Sequence, residues 1–221
     1  MNYTNTGSKV LNLVNKIGTF ILMNLMFLIG CIPVVTIGAS WSGLYSAVRF
    51  TIRGESWFAG YKEGFKTGLL RNILATSFGL VVGYYALDNL LPAIAMVVDG
   101  VEVTVATVII VAFGVLLLAV LLFLAIMVPV NLYIRTDYDR WLKNTFYLIG
   151  HAPVQCLVTT ALVWFPVYQM IFPTWDFIFF AIPYVAGYFI VVCWVITMLL
   201  KTPLILLKDR EREAETLLDE D

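Results

Sequence analysis

Residues 103–134 read VTVATVIIVAFGVLLLAVLLFLAIMVPVNLYI, a run without a single Asp, Glu, Lys, Arg or His. A hydrocarbon core about 30 Å thick is crossed by about 20 helical residues. The run is longer than a straight crossing requires, so it is expected to tilt, or to bend where Pro129 removes a backbone donor. It is bounded by acids on one side (Asp99, Glu102) and by Arg135 on the other. That asymmetry sets the reading of everything around it.

The whole chain shares this character. Of 221 residues, 61% are hydrophobic and 13% charged, against about 25% charged in an ordinary soluble domain. The mean hydropathy is +0.89. A soluble globule of this length cannot hide that much apolar surface, so a water-soluble enzyme and a disordered chain are excluded. With a net charge of −1, no overall basic field draws in nucleic acid. Cys31, Cys156 and Cys193 lie inside apolar runs at no metal-ligand spacing, and read as core thiols rather than a disulfide framework. The first apolar run begins only after Lys16 and lacks a small-residue cleavage site, so it is expected to remain as a membrane helix.

The 14 Lys and Arg residues fall in four clusters: Lys9 and Lys16, Arg49 to Arg71, Arg135 to Lys143, and Lys201 to Arg212. The stretches 17–48, 72–134 and 144–200 between them contain no Lys or Arg. The second and third are each long enough for two crossings and a turn. Their middles carry acids only, Asp88, Asp99 and Glu102 in one and Asp176 in the other. Cation-rich loops stay in the cytoplasm, so these acidic turns are expected outside. Helices are predicted at approximately 72–92, 103–134, 154–172 and 177–200.

The first stretch admits two readings. One is a single span followed by a surface helix, which gives five spans and an outside N-terminus. The other is a tight hairpin of two short helices broken near Pro33, which Lys9 and Lys16 favour by holding the N-terminus inside. The hairpin gives the expected architecture: an all-α integral membrane protein, a bundle of six transmembrane helices with both termini cytoplasmic. A helix from Ala39 to Arg53 would align Ala39, Gly43 and Ala47, a small-residue spacing that lets helix backbones approach in lipid. A single transmembrane domain is expected over 1–207, followed by a charged cytoplasmic tail, 208–221.

Two connections are amphipathic. Segment 55–71 sets Trp57, Phe58, Tyr61 and Phe65 against Lys62, Glu63 and Lys66, with Gly60, Gly64 and Gly68 recurring every fourth residue. Segment 137–150 places Trp141, Phe146 and Tyr147 beside Arg140 and Lys143. Both contain Lys-x-x-Phe and both lead into a membrane helix, a faint internal repeat. Each reads as an interfacial helix anchored by aromatics and cations, or as a docking surface for a partner. The candidate interface residues are Ala39, Gly43, Ala47, Trp57, Gly60, Tyr61, Gly64, Phe65, Gly68 and Trp141.

Chemistry is hard to find. Ion coupling and intramembrane catalysis use ionisable groups within the bilayer, placed there at real cost, and the predicted spans hold none near their centres. His151 is the only histidine; no nucleophile elbow, HExxH, Walker A or GxGxxG pattern occurs. Asn24, Asn131, Gln155 and Gln169 are polar within apolar runs and are expected to hydrogen-bond between helices. No catalytic, cofactor-binding or metal-ligating residue is expected, and no cofactor.

One stretch has a specific likeness. Pro33-Val34-Val35-Thr36-Ile37-Gly38-Ala39-Ser40, then Leu44-Tyr45, Arg53-Gly54-Glu55 and the aromatic-basic run to Phe65-Lys66 resemble the opening of the YesL-like family of small bacterial multi-pass membrane proteins, a domain of unknown function. The likeness is close over residues 30–75 and rests on span pattern beyond. It implies a bacterial inner-membrane protein whose gene neighbours are oligosaccharide ABC importers, glycoside hydrolases and two-component sensors; the family brings no established catalytic or binding residues. The Pro-Val-Val-Thr-Ile-Gly run reads physically as a helix break and restart in which Thr36 caps the next helix. Neither cytoplasmic loop carries the Glu-Ala-Ala pattern by which ABC permeases dock their ATPase. The expected role is therefore a non-enzymatic accessory or assembly subunit of a carbohydrate ABC importer, in contact with the lipid bilayer and permease subunits. A small oligomeric transporter or channel, or a membrane component of a sugar-sensing two-component system, are the alternatives.

Overall fold

A computed structural model of the chain describes residues 3–100, 103–134, 138–171 and 187–219. Among the described residues the regular structure is helical, with no strand. The elements are α1 (Tyr3–Gly30), a 3-10 turn (Val34–Thr36), α2 (Ile37–Ile52), α3 (Trp57–Lys66), α4 (Leu69–Val98), α5 (Val103–Tyr133), α6 (Tyr138–His151), α7 (Pro153–Ile171), α8 (Phe189–Leu199) and α9 (Lys201–Asp219). They fall into two compact units, one of Met1–Thr67 with Val163–Leu199, the other of Gly68–Leu162 with Leu200–Asp221.

The first unit is organised around α2. Every residue from Gly38 to Val48 is buried, including Trp41, Tyr45 and three serines. Neighbours on several sides, α1, α3 and α8, enclose it. The break at Ile32-Pro33 turns the chain back, so that α1, at 28 residues longer than the short helix expected, packs beside α2. Thr36 does a different job from the one its position suggests. It stands at the N-cap of α2 without a side-chain capping bond; its hydroxyl lies 2.7 Å from the Gly30 and the Pro33 carbonyls, to which it can donate. The last carbonyls of a helix have no intrahelical donor, and Thr36 satisfies one at the end of α1 in place of an amide at the start of α2. Phe27, Trp41 and Phe189 pack edge-on and tilted, with centroids 4.8–6.4 Å apart, and fasten α1, α2 and α8 together.

In the second unit, α4 and α5 form a long antiparallel hairpin turned at Asp99-Gly100. At 30 and 31 residues and about 1.5 Å rise each, both exceed a hydrocarbon core. α5 continues through Pro129, and its last third, Leu124 to Asn131, is buried against its neighbours, α6 among them. α6 meets α7 at 105° across Ala152-Pro153, where proline ends the donor ladder of the preceding helix. α9 returns to α6 and α5 through the fully buried Leu204 and Leu207.

The expected helices at 72–92, 103–134 and 154–172 correspond to α4, α5 and α7, the first extended at both ends. Of the stretch expected at 177–200, residues 177–186 lie outside the described residues, as do Glu102 and Asp176 of the expected acidic turns and Glu220-Asp221 of the tail. Two helices, α4 and α5, are long and apolar enough to cross a membrane, and up to four segments qualify if each bent pair (α6 with α7, α8 with α9) counts as one. The chain is thus a helical protein with membrane-spanning helices. The charged tail, 208–221, reads from sequence as a solvated, partly helical end, and as far as Asp219 it continues the helix α9.

Candidate functional site: two interhelical polar clasps

The two amphipathic segments form helices, and each applies one face to a neighbouring helix of its own unit. The amphipathic pattern is the reason: glycines and aromatics lie on one side of α3, Lys62, Glu63 and Lys66 on the other.

α3 folds back antiparallel along α2. A methyl group at Gly64 would fall 2.5 Å from the Ser42 carbonyl oxygen, and one at Gly60 2.7 Å from the Phe50 ring. Only glycine permits backbones this close, and the approach lets the Ser42 hydroxyl donate to the Gly64 carbonyl at 2.8 Å. Tyr61 lies across Gly43, whose missing side chain leaves room for the ring. Its phenol donates to the Met26 carbonyl of α1 at 3.1 Å and faces Ser40, with Cys31 close by. Burial raises the Tyr61 pKa, partly offset by Ser40. It pushes the Cys31 thiol up to about 11, again moderated by Ser40. Both groups are therefore neutral at physiological pH and serve as hydrogen-bonding and packing groups.

The second clasp joins α4, α5 and α6. Arg71 Nη1 donates to Asn131 Oδ1 at 2.9 Å, and Asn131 Nδ2 donates to Asn72 Oδ1 at 3.2 Å. The Arg71 guanidinium lies 5.4 Å from the centroid of the Trp141 ring. Trp141 is fully buried and donates from Nε1 to the Met127 carbonyl at 3.1 Å, while its ring meets Phe123 edge-on. Gly68 opens α4 at φ +63°, in the left-handed region that residues with a Cβ enter at a cost. A Cβ there would also stand 2.6 Å from Asn131 Nδ2. In a low-dielectric surrounding a satisfied, charge-assisted network fixes helix register firmly, because each group is costly to leave unpaired.

A third contact anchors α9: Arg210 lies 4.2 Å from the centroid of Tyr147, whose ring stacks on His151 at 4.8 Å. His151 is exposed and is used here as a flat stacking surface.

The residues expected to form an interface are distributed as follows. Ala39, Gly43, Ala47, Gly60, Tyr61, Gly64 and Trp141 are buried within the chain. The small-residue helix α2 and the glycine stripe of α3 meet each other, so neither stripe is open to a second protein. Gly68 belongs to the other clasp. Trp57 and Phe65 are half-exposed, Trp57 edge-on to Phe58 and Phe65 stacked on Tyr61. Sequence reasoning assigned Asn131 an interhelical bond and missed its partner. Arg71 was legible only as one more cytoplasmic-side cation; an Arg-Asn pair entering a span just ahead of an apolar run was the available signal.

Chemically, these clasps hold helices together. Among the described residues no three His, Cys, Asp or Glu side chains converge as a metal site. Cys156 and Cys193 are buried and Cys31 half-buried, all as free thiols.

No family model, no curated protein and no solved structure matches the chain.

Proposed function

We propose that this protein is a non-enzymatic membrane subunit that acts by packing its helices against a membrane-embedded partner, and that the partner is the permease of a bacterial carbohydrate ABC importer. The observation that carries the first part is the outward ridge of α4. Leu74, Phe78, Val81 and Tyr85 follow one another at helical spacing and are exposed, Phe78 at 71%. Only 17% of the apolar window of α4, and the same share of α5, is buried within the chain. The polar residues of Arg71, Asn72 and Asn131 are engaged with one another, which leaves an apolar aromatic ridge as the principal surface on offer. Lipid covers such a ridge in isolation; aromatic and branched side chains also suit van der Waals packing against another helix.

The identity of the partner rests on the resemblance of residues 30–75 to the YesL-like family. In this reading the chain lies in the bacterial cell membrane with six crossings and both termini inside, α1 and α2 forming the first hairpin. Purification from the native membrane in mild detergent, under an inducing oligosaccharide, tests the partner. Co-recovery of importer subunits, lost in Phe78→Ala/Tyr85→Ala, is the expected result; recovery free of any importer subunit sinks it. Sugar flux through proteoliposomes containing this protein alone would replace the accessory role with a transporter.

A further inference from the structure

We infer that the notch where α1 outruns α2 binds the headgroup of an anionic phospholipid with a hydroxylated head, of the phosphatidylglycerol type. The Thr51 hydroxyl, on the last turn of α2, lies 3.9 Å from Met23 Sδ on α1. The part of α1 that precedes Met23 therefore runs on past the end of α2, and Lys16 stands about 10 Å further along its axis. An open cleft of about 610 Å³ occupies this step, lined by Asn15, Lys16, Thr19, Phe20 and Thr51.

Each lining group suits one part of such a lipid. Lys16 is exposed, and among the described residues no carboxylate forms an ion pair with it. Its ammonium, with the Asn15 amide beside it, supplies donors to a singly charged phosphodiester. The hydroxyl protons of Thr19 and Thr51 are already spent on the carbonyls of Asn15 and Ala47, at 2.8 and 2.9 Å. Their oxygens are left as acceptors, and a glycerol hydroxyl is a donor that a choline head lacks. Phe20, one turn from Lys16 toward the apolar part of α1, is 41% exposed, with Ile17 and Ile21 also open; these offer an acyl chain its first contacts.

The sequence charge of the N-terminal part of the chain points the same way. The chain as a whole is at −1, yet residues 1–67 carry Lys9, Lys16, Arg49, Arg53, Lys62 and Lys66 against Glu55 and Glu63 alone. A basic residue at a membrane surface improves association with anionic lipid by about fivefold.

Native mass spectrometry of the full chain in a neutral detergent provides the test, with phosphatidylglycerol, phosphatidylcholine and inorganic phosphate as separate probes. One phosphatidylglycerol is expected to be retained about fivefold more strongly than phosphatidylcholine. Lys16→Arg is expected to keep that preference, Lys16→Ala and Asn15→Asp to abolish it, and Lys143→Ala on α6 to leave it unchanged. Equal retention of the two lipids overturns the proposal. So does an unaltered preference in both Lys16→Ala and Asn15→Asp, or displacement of the lipid by millimolar phosphate, which would mark a free-anion site.

Discussion

Tyr61 and Met26, 35 residues apart in the chain, are joined by a 3.1 Å hydrogen bond from the phenol to a backbone carbonyl. Through it an amphipathic helix that the sequence would leave at the membrane surface is tied to α1. The bond depends on Gly43, which makes space for the ring, and on Gly60 and Gly64, which bring α3 close enough to α2 for the ring to reach.

Tyr61→Phe keeps the ring and removes the bond, a loss of about 1 kcal/mol. Tyr61→Ala also removes a buried aromatic, for about 3–5 kcal/mol. Unfolding in mixed micelles of a mild detergent and SDS measures both. Equal stability of Tyr61→Phe and the unmodified protein would show that the phenol bond contributes nothing.

Gly64→Ala places a methyl group against backbone, which cannot swing aside as a side chain can. Overpacking of this kind costs about 1–3 kcal/mol. Gly114 in α5 has nothing within 4 Å of its Cβ position, so Gly114→Ala should be neutral or stabilise by up to about 1 kcal/mol through helix propensity. Thermal unfolding of the pair separates close approach from propensity; the reverse order of stabilities contradicts the packing described.

The Arg71–Asn131 bond should give a coupling energy of about 1.5–3 kcal/mol in a double-mutant cycle built from Arg71→Ala and Asn131→Ala. Trp141→Phe retains stacking under Arg71 but gives up the bond to Met127. Its cost should be about 1–3 kcal/mol, the penalty for a lost bond in a dry interior. Additive single-mutant effects would show that Arg71 and Asn131 act separately.

Cys31 should be slow to alkylate. With its pKa pushed up from 9.0 to about 11, the reactive thiolate is about 100-fold scarcer at pH 8 than for an unperturbed thiol. Because burial raises the pKa, the thiol stays neutral below pH 9 and its reactivity climbs only as pH approaches 11. Maleimide labelling followed from pH 7 to 10, with Cys156→Ser and Cys193→Ser as background, reads this directly. A rate that levels off near pH 9 would contradict it.

Which parts of this structure are readable from the sequence follows from what kind of signal each leaves. α4, α5 and α7 are visible because a membrane span is defined by its solvent, and long runs without charge report that solvent directly. Pro33 announces the α1–α2 turn for the same local reason, a missing donor. Pairing is another matter. Ala39, Gly43 and Ala47 mark one small-residue stripe and Gly60 and Gly64 another, yet the spacing of small residues states only that something comes close. That α2 and α3 satisfy each other is a tertiary fact, carried by the short connection between them and by Ser42 finding the Gly64 carbonyl. Arg71 was hidden for a related reason: counting cations gives orientation and is silent on what a guanidinium touches. Trp141 looked like a surface anchor because its neighbours Arg140 and Lys143 are polar, while its own position falls on the opposite face of α6.

The enclosure of α2 also has a consequence in time. Most of its walls, α1 and α3, are synthesised within a few residues of it, but α8 begins only at Phe189. At roughly 5–20 residues per second, a ribosome needs about 7 to 27 seconds to travel from the end of α2 to α8. During that interval Trp41 lacks Phe189, and a helix carrying three serines waits in or beside the membrane with one flank open. Some temporary neighbour, lipid or an insertion factor, must occupy that flank until the C-terminal part of the chain displaces it. The order of synthesis thus makes the completion of the first unit one of the last events in the birth of the protein.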